Sequence, residues 1–341
     1  MYTYILGAGA SHPTLPLAKD MSKSLVKFMN TIGSVRTNQT IVSHRDRDYV
    51  NTLYEDLTNM IKNSSRHQTI DTYARMLSLT HKEQSYKQLC ELLTLYFLYE
   101  QSFKSTHNRY DHFLATVLKE DSLKIPDEFM FLSWNYDFQF EKAMSLYLDN
   151  ASYIDCANQL NLVSANAGNQ TQFDASFIKL NGTAFFPPPY NSGVNEFGMF
   201  REYANEIKSI KYIIDLYVNI CQDSQSVSSS LSFAWSKNKG MVIETNKERL
   251  QNTKILIIIG YSFPYFNRSI DLQIIKYFTG LDKIIIQAPS DYASQLESKI
   301  KAMWPHHYEP PTEIVTDISQ FFIPYEYNSI LIPSPDPITF L

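Results

Sequence analysis

The sequence predicts an α/β protein: a doubly wound parallel sheet with an inserted helical subdomain. Two observations predict it. Short apolar runs of strand formers alternate with stretches whose apolar residues recur at helical spacing. One of those runs, Lys254 to Ile259, is almost purely aliphatic, as the middle of a parallel sheet buried on both faces requires. Such alternation is the pattern of a Rossmann-like fold.

The first element is Tyr2 to Leu6, a short strand. Gly7-Ala8-Gly9-Ala10-Ser11 follows at once, and Leu17 to Met29 has helical spacing. Strand, glycine turn and helix is the arrangement that aims backbone N–H groups and a helix N-terminus at a pyrophosphate. Small-residue turns of this kind also exist simply to pack closely. The dehydrogenase fingerprint is absent: His12 stands where G-x-G-x-x-G/A needs a small residue, and no second strand with a ribose-binding acid follows. A hydride-transfer enzyme is therefore disfavoured.

A polar linker, 31–40, leads into helical stretches. Val50, Leu53, Leu57 and Met60 share one face, as do Leu89, Leu92, Leu93 and Tyr96, and Tyr110, Phe113, Leu114 and Val117. One crossover needs only one helix, so residues 31–120 read as an inserted helical subdomain, and 1–30 with 121–341 as the core. Strands are then expected at 128–133, 177–180, 254–259, 283–287 and 313–318. Helices are expected at 138–149, around Ile207 to Tyr217, and around Ile270 to Phe278 with Gly280 as its cap. A further helix is expected to be capped by Ser290 or Asp291. Pro187–Pro189 forces an extended loop, and the serine-rich 224–232 reads as another.

Composition limits the function. A net charge of −5 without a basic block argues against a nucleic-acid groove as the main ligand site. Cys90, Cys156 and Cys221 form no C-x-x-C pair, so a zinc ribbon is excluded and no disulfide is expected. His107 and His112, five apart, make a poor ligand set, and no metal is assigned. The longest aliphatic run is too short to span a bilayer, so the chain reads as cytoplasmic, with no membrane association.

Five motifs sit mainly at strand carboxyl ends: GAGAS at 7–11, IDTYA at 70–74, WNYD at 134–137, KLNGT at 179–183 and GYSFP at 260–264. In this order the chain resembles the sirtuin-like superfamily, and within it the NAD hydrolases of bacterial anti-phage defence. The resemblance runs from Tyr2 to about Pro289. It implies an NAD-binding Rossmann-like core and cleavage of the nicotinamide–ribose bond. NAD would be substrate, with no metal required. By this resemblance Gly7, Ala8, Gly9 and Ser11 hold the pyrophosphate, and Asn135 binds near the nicotinamide ribose and orients a water. Asp137 holds that loop, and Gly260 and Ser262 face the phosphate or the adenosine ribose. Nicotinamide is a cationic leaving group, so positioning the ribose and shielding the transition state are the main tasks. Read from the residues alone, Asn135 also fits a helix cap, Gly260–Ser262 a plain turn, and Asp71 the cap of its helix.

One position departs from the family. Its strand ends in L-H-G, with His as base; here Leu180-Asn181-Gly182 stands instead. An amide does not titrate near neutrality, and loss of a general base costs about 10² to 10⁴ in rate. An inactivating change introduced at 181, a degenerate NAD-binding subunit, and catalysis by Asn135 with a positioned water all remain open. A deacylase is the weaker reading, because its zinc cysteines are missing. The resemblance also implies an oligomer controlled by a separate sensor or activator, such as a nucleotide-sensing enzyme homologue or an ATPase.

Overall fold

The computed structural model describes residues 1–102, 104, 106, 108–149, 151–165, 174–186, 205–222, 229–236, 239–305 and 309–327. The Pro187–Pro189 loop, most of the 224–232 stretch and His107 lie outside them.

Seven parallel strands form one sheet: β1 (Tyr2–Leu6), β2 (Phe129–Ser133), β3 (Leu162–Ser164), β4 (Phe177–Lys179), β5 (Ile255–Ile259), β6 (Lys283–Gln287) and β7 (Thr312–Val315), in the order β3-β4-β2-β1-β5-β6-β7. β1, β2 and β5 are buried along their whole length, which is why they read as unbroken apolar runs. Successive side chains alternate between two cores. Ile5, Leu132, Ile178, Ile258 and Ile286 face one; Tyr4, Phe131, Phe177, Ile257 and Ile285 face the other.

Helices α1 (Met21–Val35), α2 (Arg47–Ser64), α3 (Ile70–Leu79), α4 (Glu83–Ser102) and α5 (Asn108–Val117) precede β2. Next come α6 (Gln139–Tyr147), α7 (Tyr153–Gln159), α8 (Glu206–Gln222), α9 (Lys239–Thr245), α10 (Lys247–Gln251), α11 (Arg268–Ile275) and α12 (Ser290–Met303). A third core lies mainly among the helices, with Phe138, Phe186 and Phe233 added from connecting loops. It joins α1 to α4 and α8 through Phe28, Leu53, Leu93, Tyr96 and Ile213. The helical layer therefore takes in α1 and α8, on either side of the expected 31–120 insertion. α5, inside that range, packs Tyr110, Phe113 and Leu114 on the sheet.

Several local expectations are corrected. α1 starts at Met21 rather than Leu17, after short 3₁₀ turns at Ala8–Ala10 and Ala18–Asp20. α11 ends at Ile275 with Lys276 as its C-cap, so Gly280 does not cap it. Pro289 is the N-cap of α12, so neither Ser290 nor Asp291 fills that position. β7 begins at Thr312 and stops at Val315.

The layer meets the carboxyl edge of the sheet beside β2. The Phe97 ring of α4 lies 5.5 Å from that of Tyr136. The Gln101 side chain, fully buried, accepts from the Phe138 N–H at 3.0 Å, and Lys142 donates to the Gln101 carbonyl at 2.9 Å.

Candidate functional site

The order of connection turns back at β1: β2 lies on one side of it and β5 on the other. In open parallel sheets this switch point, outside the carboxyl ends, is where ligands bind. Four of the five motifs emerge there.

The two glycine turns touch. A Cβ on Gly7 would stand 2.6 Å from the Gly260 carbonyl oxygen, and one on Gly9 2.7 Å from Gly260 Cα. Gly260 itself has φ +62°, and a Cβ there would lie 2.4 Å from the Ala10 nitrogen. These glycines are required by backbone meeting backbone. The turn N–H groups are also spent internally. Gly7 donates to Ile259, Gly9 to Gly260, Ala10 to Gly7 and Ser11 to Ala8. A pyrophosphate held here would meet the Ala8 N–H and side chains, not the cradle of amides expected from the sequence. Beneath the turn, the buried Arg109 donates to the carbonyls of Gly9 (2.9 Å) and His12 (2.6 Å).

Asn135 is buried, and its amide NH₂ donates to the Gly7 carbonyl at 3.0 Å and to Ser11 Oγ at 3.4 Å. Among the described residues its Oδ1 accepts from no protein donor. The amide is thus fixed at one end and open at the other. Ser11 Oγ donates to Asp137 Oδ2 at 2.7 Å and shares a hydrogen bond with the Tyr110 hydroxyl at 2.7 Å. Burial pushes the Asp137 carboxyl up, against the opposing effects of Lys179, Ser11 and the Gln139 N–H. Lys179 donates to the Asp137 carbonyl and pairs with Glu141 at 2.6 Å, both side chains almost fully enclosed. These bonds lock the 134–137 loop to β1 and β4. The cap reading of Asn135 is not what forms: α6 begins at Gln139, with Phe138 as its N-cap.

Asn181 is held at both ends. Its Nδ2 donates to the Trp134 carbonyl at 2.9 Å, and its Oδ1 accepts from Lys239 Nζ at 2.8 Å. Lys239, 1% exposed, also donates to the Leu180 carbonyl and reaches Ser232 Oγ at 3.3 Å. Burial alone lowers its pKa well below that of a free lysine. Asn181 thus joins β4 to the β2 turn and supplies a buried ammonium with an acceptor.

The GYSFP turn divides its roles. Tyr261 stacks on Trp134, with centroids 5.8 Å apart and planes 10° apart, and its hydroxyl donates to Asp271, whose carboxyl burial pushes up to about 8. Ser262 is exposed, and its carbonyl accepts from Lys299 at 2.7 Å. Asn135 and Asn181 are linked through Trp134; no hydrogen bond brings the Ser262 hydroxyl to them.

Asp71 does not cap α3. Thr69 does, accepting from the Thr72 N–H at 3.2 Å. Asp71 is half-buried, and desolvation pushes its carboxyl up to about 6. Burial, and after it the Asp71 charge, push the half-buried Tyr136 phenol well above its ordinary range. Tyr86, Phe233 and Trp235 extend that aromatic wall: Phe233 lies 5.9 Å from Tyr86 and 5.1 Å from Trp235. His12 and His112 are exposed, and among the described residues no His/Cys/Asp/Glu group has metal-site geometry.

Sequence reasoning missed Arg109, Lys239 and the Lys179–Glu141 pair. Arg109 and Lys239 carry no motif, although Lys179 stands at the start of one already noted. The fold defines a Rossmann-like parallel α/β protein whose helical layer meets the carboxyl edge of the sheet. No protein-family model matches the chain, and no curated protein matches it. No helix among the described residues is long and apolar enough to cross a membrane.

Proposed function

We propose that the protein is an NAD glycohydrolase, releasing nicotinamide and ADP-ribose in the crevice between the carboxyl ends of β1, β2 and β4 and the helical layer. The observation that carries this reading is Asn135. Its NH₂ is pinned to the Gly7 carbonyl while its Oδ1 is left to accept from a ribose hydroxyl or a water. Departure of a cationic nicotinamide needs no general acid, so orientation of sugar and water is the main demand on the protein. Asp71, whose carboxyl burial pushes up to about 6, is a candidate from the helical layer for taking the proton of the attacking water, and the pH dependence of the rate tests it. The sirtuin-like motif order supports the same assignment.

The proposal extends to a partner-controlled, oligomeric effector of anti-phage defence that depletes NAD when a separate sensor signals. Exposed apolar side chains on neighbouring elements support a partner surface: Met241 on α9, Leu272 on α11, and Tyr265 and Phe266 just before α11. Incubation with NAD followed by chromatography tests the activity. Nicotinamide and ADP-ribose should form, and Asn135→Ala should abolish them without loss of fold. Retained turnover in that variant removes Asn135 from the mechanism. A second reading, a non-catalytic NAD or nucleotide sensor and scaffold, is favoured by Asn181, whose amide is engaged at both ends and does not titrate near neutrality. NAD binding without product, in the presence of the natural partner, would establish it.

A further inference from the structure

Residues 36–46 join α1 to α2, and at that end of the helical hairpin lies a cavity of about 350 Å³. It is lined by Gly33, Arg36, Thr37, Gln39, Arg47 and Asn51. Its chemistry is one-sided. Two guanidiniums, an amide from each of two side chains and a hydroxyl line it, and no carboxylate does, in a chain of net charge −5. Arg47 and Asn51 are one turn apart on α2 and project from the same face. Arg47 is also the first residue of an 18-residue helix, where the dipole is positive. The N-cap, Asp46, gives that end no side-chain hydrogen bond; its carboxylate accepts from Ser43 instead.

Neither arginine is in an ion pair among the described residues. Arg47 Nε is shut off from solvent and has no hydrogen-bond partner. Arg36 is oriented in advance, its guanidinium 4.1 Å from the centre of the Tyr54 ring. Gly33 makes room for that ring: a Cβ there would stand 2.9 Å from Tyr54 Cε2. Paired, oriented guanidinium forks match phosphate oxygens, and the volume falls within the roughly 300–1,000 Å³ of small-molecule sites.

We propose that this cavity is a second ligand site, separate from the crevice, for a small molecule carrying phosphate groups. The test is calorimetric titration of the full chain at low ionic strength with ADP and, in parallel, with inorganic pyrophosphate. Both should bind. Arg36→Gln and Arg47→Gln should each weaken binding by about tenfold or more, the loss of a charge-assisted hydrogen bond. Arg47→Lys, which keeps the charge and drops the fork, should weaken it less. Asn135→Ala should leave it unchanged, and unfolding curves check that every variant folds. Tighter binding of ADP than of pyrophosphate identifies a nucleotide as the ligand class; equal binding identifies the phosphates alone. No heat at millimolar probe overturns the proposal. So does a double Arg36→Gln/Arg47→Gln variant that keeps every binding event of the unaltered chain, since ADP held in the crevice would persist only as one separate event.

Discussion

Lys179→Met is expected to destabilise the protein by about 3–5 kcal/mol. Lys179 Nζ and Glu141 Oε1 are 2.6 Å apart, with side chains 2% and 0% exposed. At an effective dielectric of about 20 their attraction is about 6 kcal/mol, while taking each ion out of water costs several kcal/mol. The intact pair therefore comes near to balance. Deleting the cation removes the attraction and leaves the whole penalty on Glu141, whose Oε2 already has no hydrogen-bond partner. Deleting both charges, with Lys179→Met and Glu141→Leu together, should recover at least half of the loss. Urea unfolding at pH 7 with an unchanged slope is the assay. The pH dependence has a definite sign. Burial already raises the Glu141 carboxyl, and without Lys179 it rises further. The folded variant then keeps a proton that the unfolded chain releases above about pH 4.3, so the variant's deficit should grow as pH rises from there. A single-variant loss under about 1 kcal/mol, or a double variant no better than the single, would refute the reasoning.

Four more predictions concern the carboxyl edge of the sheet. If Asp71 takes the proton, the rate of NAD hydrolysis should rise with pH through about 6, and Asp71→Asn should abolish that limb. Because the folded Asp71 pKa lies above its unfolded value, Asp71 should lower stability progressively between about pH 4 and 6, a slope that Asp71→Asn removes in pH-dependent unfolding. Where Asp71→Asn leaves the pH limb of the rate in place, so that Asp71 is not the base in this form, Asn181→His should raise kcat by about 10² or more with little change in NAD binding; unchanged turnover with NAD still bound moves the balance to the sensor reading. Gly260→Ala should cost about 1–3 kcal/mol from its positive φ, with the close approach to Ala10 adding to it, as a fall in the unfolding midpoint; an unchanged midpoint would show that the β1 turn can give way.

The sheet was legible because its long strands are buried on both faces, so β1, β2, β5 and β6 read as unbroken apolar runs. β3 was not: three residues, Leu162–Ser164, at an edge carry no period. α4 read as one apolar face, yet it is buried continuously from Leu89 to Ser102, because α3, α8 and the sheet edge close on it from several sides. The motifs marked the carboxyl edge of the sheet but not how its groups are engaged. GAGAS reads as a phosphate cradle, and the sequence gives no sign that the Gly7, Gly9, Ala10 and Ser11 N–H groups are donated to carbonyls of the two turns. Lys239 reads as a surface lysine, since only the folded chain brings it from 58 positions away onto Asn181. Arg109 lies beside the apolar face of α5, and a sequence period gives no sign that its guanidinium reaches back to Gly9.

The contact between the β1 and β5 turns has a consequence for the order of assembly. Gly7 and Gly9 are made first, but the backbone that shapes them arrives with Gly260, about two hundred and fifty residues later. Until β5 docks, β1 lacks its neighbour on that side, and its turn lacks the two carbonyls that Gly7 and Gly9 donate to. So distant a closure comes late in folding. A nascent chain that has completed the whole helical layer still has no finished crevice floor. Fragments ending before Ile255 would carry the GAGAS sequence without its conformation, and ligand competence would appear only as the second half of the sheet closes on the first.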